Sequence, residues 1–563
     1  MNQLTGAEAM VRMLQGYGVS HVFGLCGDTS LPFYDALFRL DHDITHILSR
    51  DERSAAYMAD GYARVSGRVG VCEGPSGGGA TYIAPGLIEA NESSIPILAI
   101  TTDISVGGRG RYSLTELDQA AMFRPLTKWN AVIDRAEDLP KLVRTAFREM
   151  TTARPGSAHL GLPFDVQKGA VEETEVWQQP DLGRYPAWPT AADPAAVVAA
   201  ASALEGARNP LIVCGGGVVI AGAEDELGRL AEALGAPVAT TISGKGSIAE
   251  DHPLAVGVVG SNGGVPETRQ FMDGADLVLL IGCRAGSVTT ERWRHPAPGA
   301  ARIVHIDSDP VVIGANYQTE AAVVGDARLA LAALNEALSG GGERPVGELN
   351  ADMVARARAA KFAAFDELAA SEERPIRPER VVATLRELLD DDAVVVADPG
   401  TPCPYLSAYY PVRRSGRQFV SNRAHGALGY SLPAAVGAYY GRPGAKIVAV
   451  MGDGSFGFSN GELETVARLG LPITFVVIAN AVFGWIKAGQ KSGFDGRYFS
   501  VDFAATDHAR LAEGYGLRGW RVEDPAELRR SLAAALDCPG PSLVDVVCQP
   551  LQEAHAPVSE WVA

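Results

Sequence analysis

The sequence predicts an α/β protein made of three doubly wound α/β domains, and three observations carry that prediction. The chain has 563 residues, too many for a single core, and roughly 100–200 residues per domain gives about three. Short apolar runs alternate with helical patterns along three long stretches, as strands and crossover helices of parallel sheets do. Two stretches rich in Pro, Gly and polar residues, 171–192 and 338–350, divide the chain as linkers. The domains so bounded cover 1–170, 193–338 and 375–550.

In the first stretch, His21 to Gly24 precedes a helix near Leu31 to Phe38, and Ile44 to Leu48 precedes DERSAAYMADGYARVSG. Val69 to Cys72 then leads into GPSGGGAT, and Ile95 to Thr101 is a further apolar strand. In the second stretch, Pro210 to Cys214 runs into three glycines, Leu277 to Ile281 ends at Gly282, and Ile303 to Ile306 ends at Asp307. Gly282 and Asp307 are 25 positions apart, near the roughly 20 that separate glycine turn and ribose acid in dinucleotide folds, although G-x-G-x-x-G is absent. Helical runs from Met353 to Ala370 and Pro378 to Leu389 introduce the third stretch. Its strands are Val394 to Ala397, Ile447 to Met451, Ile473 to Ile478 and Ser542 to Val547, with a helix near Ala526 to Leu536. The last fifteen residues read as a tail or lid.

Composition narrows the partners. A hydrophobic content of 47% with 21% charged residues is that of a globular protein, and a formal charge of −18 argues against nucleic acid or an anionic membrane surface. An anionic ligand must therefore rely on local donors. The seven cysteines form no CxxC pair, which points to free thiols in a reducing cytoplasm rather than zinc or disulfides. The N-terminal residues pattern as an amphipathic helix without a signal-peptide core, and no apolar run reaches transmembrane length.

The chemistry concentrates between Ala445 and Lys487. A lone Gly452-Asp453-Gly454 is a turn and little more. Ser459 and Asn460 can start the helix that follows, with Leu463, Val466 and Ala467 on one buried face. Because strand, crossover helix and strand must be parallel, Asp453 and Asn480, 27 positions later, both emerge at carboxyl ends of strands, where open α/β sheets bind ligands. A carboxylate, an amide oxygen and a nearby backbone carbonyl suit Mg²⁺, whose octahedron is commonly completed by phosphate oxygens and water. The turn's amides and the helix start supply donors for an anion.

GDGS, a helix and an apolar strand ending in Asn resemble the diphosphate-binding motif of thiamine diphosphate enzymes of the acetohydroxyacid (acetolactate) synthase and pyruvate oxidase-like family. The resemblance covers essentially the whole chain and makes its domains pyrimidine-binding, central and diphosphate-binding. It implies that Asp453, Asn480 and the Val482 carbonyl hold Mg²⁺, that Gly454, Ser455 and backbone near Gly400 face the diphosphate, and that Leu428, beside Gly426, supports the bend between the cofactor rings. Without the resemblance, Leu428 reads equally well as core. Where the family has Asn-Asn, this chain has Ala479-Asn480.

The segment DERSAAYMADGYARVSG resembles the family segment that carries the activating glutamate, here Glu52, with Asp51 where His is usual. Such a carboxyl group hydrogen-bonds the aminopyrimidine N1′, and burial would favour its protonated form. The plainer alternative is an acid favoured by the helix dipole. GPSGGGAT matches the stretch near the aminopyrimidine, giving Ser76 and Gly77 to the cofactor. GGRGRYSLTELDQAAMFRPLTKWN resembles its equivalent in acetohydroxyacid synthases, but Leu114-Thr115-Glu116 stands where they have Phe-Gln-Glu.

AVFGWIKAGQKSGFDGRYF is expected to cover the site as a mobile segment. Gly489 occupies the position of a family tryptophan, with Trp485 four positions earlier. The substrate pocket is assigned Cys26, Thr115, His425, Trp485 and Gly489, where His425 is either a contact to substrate or a surface or packing residue. Paired histidines of simple pyruvate decarboxylases are absent near the N-terminal motif, which favours carboligation or C–C cleavage. For the central domain the resemblance leaves FAD, near GSNG at 260–263 and Arg284, or a purely structural role. It further implies a homodimer at minimum, with Glu52 of one subunit meeting the diphosphate domain of another, and a homotetramer as the expected form.

The expected activity is that of an acetolactate synthase-like lyase or carboligase acting on a small 2-oxo acid or related ketone. The alternatives are a non-decarboxylating lyase of a 2-hydroxyacyl compound or cyclic diketone, and an inactive scaffold.

Overall fold

The structure, a computed structural model, describes residues 3–339 and 346–561. Three six-stranded sheets, every pairing in them parallel, form the framework, and one antiparallel pair joins Gln3–Thr5 to Ala170–Glu172. Numbered along the chain, the strands of the first sheet are His21–Gly24, Thr45–Leu48, Gly70–Gly74, Ile97–Asp103, Trp129–Val132 and Ala158–Pro163. They lie in the order 2-1-3-4-6-5. The third sheet, Val394–Ala397, Phe419–Ser421, Ile447–Gly452, Ile473–Ala479, Arg518–Val522 and Ser542–Val547, repeats that order. The central sheet, Pro210–Cys214, Val238–Thr240, Ala255–Val258, Leu277–Ile281, Arg302–Asp307 and Ala321–Val324, runs 3-2-1-4-5-6, the order of dinucleotide-binding folds. All three have a switch point where connections leave strand 1 in opposite directions, and loops at the carboxyl ends of the flanking strands open a crevice there.

The chain forms two compact units. The first comprises Met1–Trp188, Asn422–Gly444 and Ser459–Leu471. Its core lies beneath the first sheet and includes Met10, Val22, Phe33, Leu98, Phe147 and Leu160. The helix Gly6–Gly16 starts with a capping box, in which Thr5 and Glu8 satisfy each other's amides. The helices Glu52–Ser66 and Ser431–Gly441 approach backbone to backbone: a Cβ on Gly61 would sit 2.2 Å from Ala434 O, and one on Gly437 only 1.8 Å from Met58 O. The expected linker at 171–192 is exposed over much of its length but anchored in its second half, with Leu182 and Ala187 in the core and the Val69 amide donating to Gly183 O.

The second unit holds Pro189–Ser421, Ala445–Phe458 and Pro472–Ala563. Separate cores underlie its two sheets, one around Ile212, Leu230 and Leu279, the other around Val395, Val476 and Val544. The second expected linker is shorter than read. Residues 340–345 lie outside the described residues, and from Val346 the chain is already in the helix Val346–Ala369. The C-terminal segment is no loose tail: Leu551 is buried, Gly263 N donates to Pro557 O, and Ser559 N donates to Ser261 O. Every cysteine is a free thiol, Cys26 exposed and the other six buried. No helix among the described residues is long and apolar enough to cross a membrane.

Candidate active site

In the second unit the strands Ile447–Gly452 and Ile473–Ala479 pair in parallel, Gly452 opposite Ile478. Their next residues therefore leave the sheet side by side. The Asp453 carboxylate, 6% exposed, accepts the amides of Asn480 at 2.7 Å, Ala481 at 2.6 Å and Gly454 at 2.8 Å. Burial pushes its pKa up and these amides pull it back. Helix begins at once, at Asp453–Ser459, with a 3₁₀ turn at Asn460–Glu462 before Leu463–Arg468. The expected start at Ser459 is thus six residues late, because GDGSFG has no apolar period to announce it. Ala481 takes a positive φ of 55°, turning the chain sharply after Asn480.

The side-chain nitrogen Nδ2 of Asn480 is buried without a hydrogen-bond partner. An orphan of this kind costs about 1–3 kcal/mol, and rotating the amide by half a turn replaces it with an oxygen facing the same place. The donor set of carboxylate, amide oxygen and the Val482 carbonyl fits Mg²⁺. Gly400, φ +90°, has nothing within 4 Å of where a Cβ would stand, so its backbone is open to close approach. Gly454 is the reverse, since a Cβ there would lie 2.8 Å from the Phe483 ring. Ser455 Oγ donates to Asp398 Oδ2 at 2.7 Å, which commits its proton to that carboxylate.

In the first unit, Glu52 opens the helix Glu52–Ser66 after an Asp51 N-cap that accepts from Arg53 N. A residue serving the helix dipole alone would face water, yet Glu52 is 7% exposed. Its carboxyl group lies against the Gly74–Gly79 turn: a Cβ on Gly79 would be 2.9 Å from Oε1, and one on Gly74 3.2 Å from Cγ. Burial raises its pKa, with a smaller push from Asp51. The same turn gathers four other expected residues. Ser76 Oγ is 2.7 Å from Thr115 Oγ1, Gly77 at φ +67° would drive a Cβ to 2.7 Å from Thr115 Cβ, and Gly27, beside Cys26, lies on Pro75.

The loop with Gly426, φ +72° and open, also belongs to this unit. Leu428 is half-buried and enters none of the hydrophobic cores, so it is not the core residue that it otherwise resembled. His425 is exposed, and its backbone amide donates to Glu89 Oε2 at 2.7 Å.

Other expectations change. The segment after Asn480 is a helix, Gly484–Gly493, followed by a loop that is tied down rather than free. Phe483 N donates to Val501 O, Phe503 N to Ala481 O, Lys487 pairs with Asp502 at 2.6 Å, and Lys491 reaches Gln552 O. Trp485 packs on Trp561, ring centroids 5.0 Å apart, and onto the third domain's core. Gly489 sits on the buried face beside Ala488, while Phe483 and Ile486 face outward. Trp485 and Gly489 thus have packing partners on the inner side of this helix.

In the central domain, Arg284 is exposed and the GSNG turn is packed by the C-terminal segment. The Gly217 amide donates to Gly282 O, and Asp307 Oδ1 accepts Asp309 N.

Several residues escaped the sequence reading. Phe483 and Phe503, rings 5.2 Å apart, cover Gly454. Glu89, fully buried, receives the amides of Ala424, His425 and Gly426, the Ser93 hydroxyl and Arg64. Glu73, also fully buried, accepts from Ser30 and Tyr34. GDG marks Asp453 within a few residues, whereas Glu89 meets partners 336 positions away, which no local pattern signals.

Comparison with known proteins agrees with this geometry. Residues 4–122 match the thiamine pyrophosphate enzyme N-terminal TPP binding domain, 197–334 the central domain, and 398–546 the C-terminal TPP binding domain. A probable acetolactate synthase large subunit of Methanocaldococcus jannaschii is 35% identical over 98% of this chain and 93% of its own length. The acetolactate synthase isozyme 3 large subunit of Escherichia coli K12 is 32% identical over 95% and 93%, and the acetolactate synthase large subunit of Corynebacterium glutamicum 33% over 95% and 85%. With three domain matches in order and full-length likeness above 30%, the chain belongs to the thiamine diphosphate enzymes, in the acetolactate synthase-like family.

Proposed function

We propose that this chain is a Mg²⁺-dependent thiamine diphosphate enzyme that makes or breaks a C–C bond next to the carbonyl of a 2-oxo acid or related ketone. The observation that carries the reading is the parallel pairing that sets Asp453 beside Asn480 at the strand ends, with the side-chain Nδ2 of Asn480 buried and without a hydrogen-bond partner. Asp453, Asn480 and the Val482 carbonyl would hold the cation. Gly400 would let backbone come close to the diphosphate for want of a side chain, while Gly454 leaves room for the Phe483 ring that packs beside it. The cofactor, when bound, supplies the nucleophilic carbon and the electron sink.

The chain's own part is orientation and proton placement. Glu52, whose pKa burial raises, presents its carboxyl group beside the Ser76–Gly77 turn. Phe483 and Phe503 keep water from the Gly454 side. Leu428 offers an apolar, half-buried surface against which a bent cofactor can rest. The central domain is read as structural, since the Gly217 amide of its glycine turn already donates to Gly282 O, and a flavin band in the absorbance spectrum of the purified protein would overturn that part. A homodimer is the minimal assembly and a homotetramer the expected one, measured by sedimentation.

The test of the activity is circular dichroism and stopped-flow absorbance against a panel of 2-oxo acids with CO₂ release followed in parallel. Covalent cofactor signals with at least one acid, and their loss in Glu52→Gln with the fold retained, support the proposal. Turnover of Glu52→Gln within a few-fold of wild type would remove Glu52 from its role. Signals without CO₂ favour the non-decarboxylating lyase, and no signal with any carbonyl compound favours an inactive scaffold.

A further inference from the structure

Behind the Gly74–Gly79 turn runs a continuous line of hydroxyl groups that the proposed function does not use. It starts at Glu73, fully buried on the strand Gly70–Gly74. Ser30 Oγ lies 2.5 Å from Glu73 Oε1 and 3.2 Å from Thr102 Oγ1. Thr102 Oγ1 is 2.8 Å from Thr29 Oγ1, which is 3.1 Å from Ser76 Oγ, and Ser76 Oγ is 2.7 Å from Thr115 Oγ1. Ser30 and Thr102 are fully buried, Ser76 nearly so, and Thr115 is exposed. The line therefore leads from the interior to the pocket side of the turn.

Each hydroxyl has one proton to give and lone pairs to accept, so the line can be satisfied in two ways. With Glu73 protonated, every hydroxyl donates outward and Thr115 donates to Leu114 O, 2.5 Å away. With Glu73 ionised, Ser30 and Tyr34 donate to the carboxylate, and an inward line requires Ser76 Oγ to turn its proton to Thr29, in place of the Thr29-to-Ser76 bond recorded here. Thr29 also accepts the Ser76 amide in both states. A net that only pinned the turn would need one arrangement.

The titratable groups around Glu73 are Tyr34, with His46 hydrogen-bonded behind it, Glu52, Cys26 and Cys72. Burial, assisted by Arg468, holds His46 neutral with its pKa down to about 4. Glu73 thus has no cationic partner among them, and burial, with a smaller push from Glu52, raises its pKa to about 8.

We propose that Glu73 is a proton store wired to the active-site turn, its carboxyl proton reaching an acceptor at Thr115 through Ser30, Thr102, Thr29 and Ser76. This rests on the reading of Ser76 and Thr115 as pocket residues. In the outward step the Glu73 O–H bond breaks, each hydroxyl oxygen takes a proton from one neighbour and gives its own to the next, and Thr115 Oγ1 gives its proton to an alkoxide or carbanion of a carbonyl substrate. One proton moves, Glu73 is left as carboxylate, and no electrons are exchanged. A proton from water returned along the line restores the first arrangement. Glu73 acts here through other groups and touches no substrate.

The test is infrared spectroscopy of the full ligand-free chain. A protonated-carboxyl band at neutral pH is expected that disappears in Glu73→Gln and persists in Glu52→Gln. On transfer to D₂O, its exchange is expected to slow roughly tenfold in Thr102→Val and to recover in Thr102→Ser. If Thr102→Val does not fold, Ser76→Ala makes the same cut near the accessible end. No Glu73-dependent band, or equal exchange in wild type and Ser76→Ala, overturns the relay. Because no cofactor is present, either result leaves the thiamine diphosphate assignment standing, and a failure of cofactor binding would leave the band unchanged.

Discussion

Glu89 offers the sharpest structural prediction. Its carboxylate, 0% exposed, holds the loop that carries Gly426 and Leu428: Oε2 accepts His425 N at 2.7 Å and Gly426 N at 3.2 Å, while Oε1 accepts Arg64 at 3.1 Å and Ser93 Oγ at 2.8 Å. Arg64 is itself shared with the buried Asp60. Replacing Glu89 by Ala strips one partner from a buried charge pair and leaves backbone amides unmatched, at a cost of about 3–5 kcal/mol. Converted at 1.36 kcal/mol per factor of ten, that is a roughly 150- to 5,000-fold faster opening equilibrium for this loop. Glu89→Gln keeps the shape but has a single acceptor oxygen, so it falls between Ala and wild type. Hydrogen exchange by mass spectrometry on peptides spanning 422–430 reads this directly. Exchange in Glu89→Ala within about threefold of wild type, less than 1 kcal/mol, would refute the reasoning that this carboxylate holds the loop.

Two further outcomes follow from buried groups. Glu73 has its folded pKa raised from the ordinary 4.5 to about 8, so the folded chain binds more protons than the unfolded one in between. Its contribution is full below the unfolded value and is lost as pH rises through the folded one, by about 5 kcal/mol in all; urea midpoints should therefore fall more steeply with rising pH in wild type than in Glu73→Gln, and parallel curves would contradict this. Gly437→Ala places a Cβ 1.8 Å from Met58 O, and the overpacking cost of about 1–3 kcal/mol outweighs the roughly 1 kcal/mol gained in helix propensity. Its thermal midpoint should drop, and an unchanged or higher one would count against backbone contact between those helices.

The parts of the fold legible in the sequence are those with a local signature. Pro210–Cys214, Leu277–Ile281 and Val394–Ala397 are buried on both faces, so each is an uninterrupted apolar run bounded by polar or turn residues, and Ser542–Val547 is an apolar run after Ser542 broken only by the buried Asp545. Val238–Thr240 and Phe419–Ser421, three residues each with a hydroxyl at the end, carry too little pattern to stand out. The site divides in the same way. Asp453 and Asn480 are legible because a turn and a strand end fix both at one sheet edge. Trp485 and Gly489 lie on the packed side of Gly484–Gly493 because helical phase, not spacing from Asn480, decides which side of that helix faces the core. Glu73 and Glu89 are ordinary acids until the fold buries them among partners from distant segments.

The central claim is that Asp453 and Asn480 bind thiamine diphosphate through a divalent cation, and isothermal titration calorimetry tests it most directly. Titrating thiamine diphosphate into the wild-type chain should give saturable heat with Mg²⁺, none with the cation chelated, and none in Asp453→Ala even with Mg²⁺. Equal binding with and without the cation, or undiminished binding in Asp453→Ala, would contradict the account.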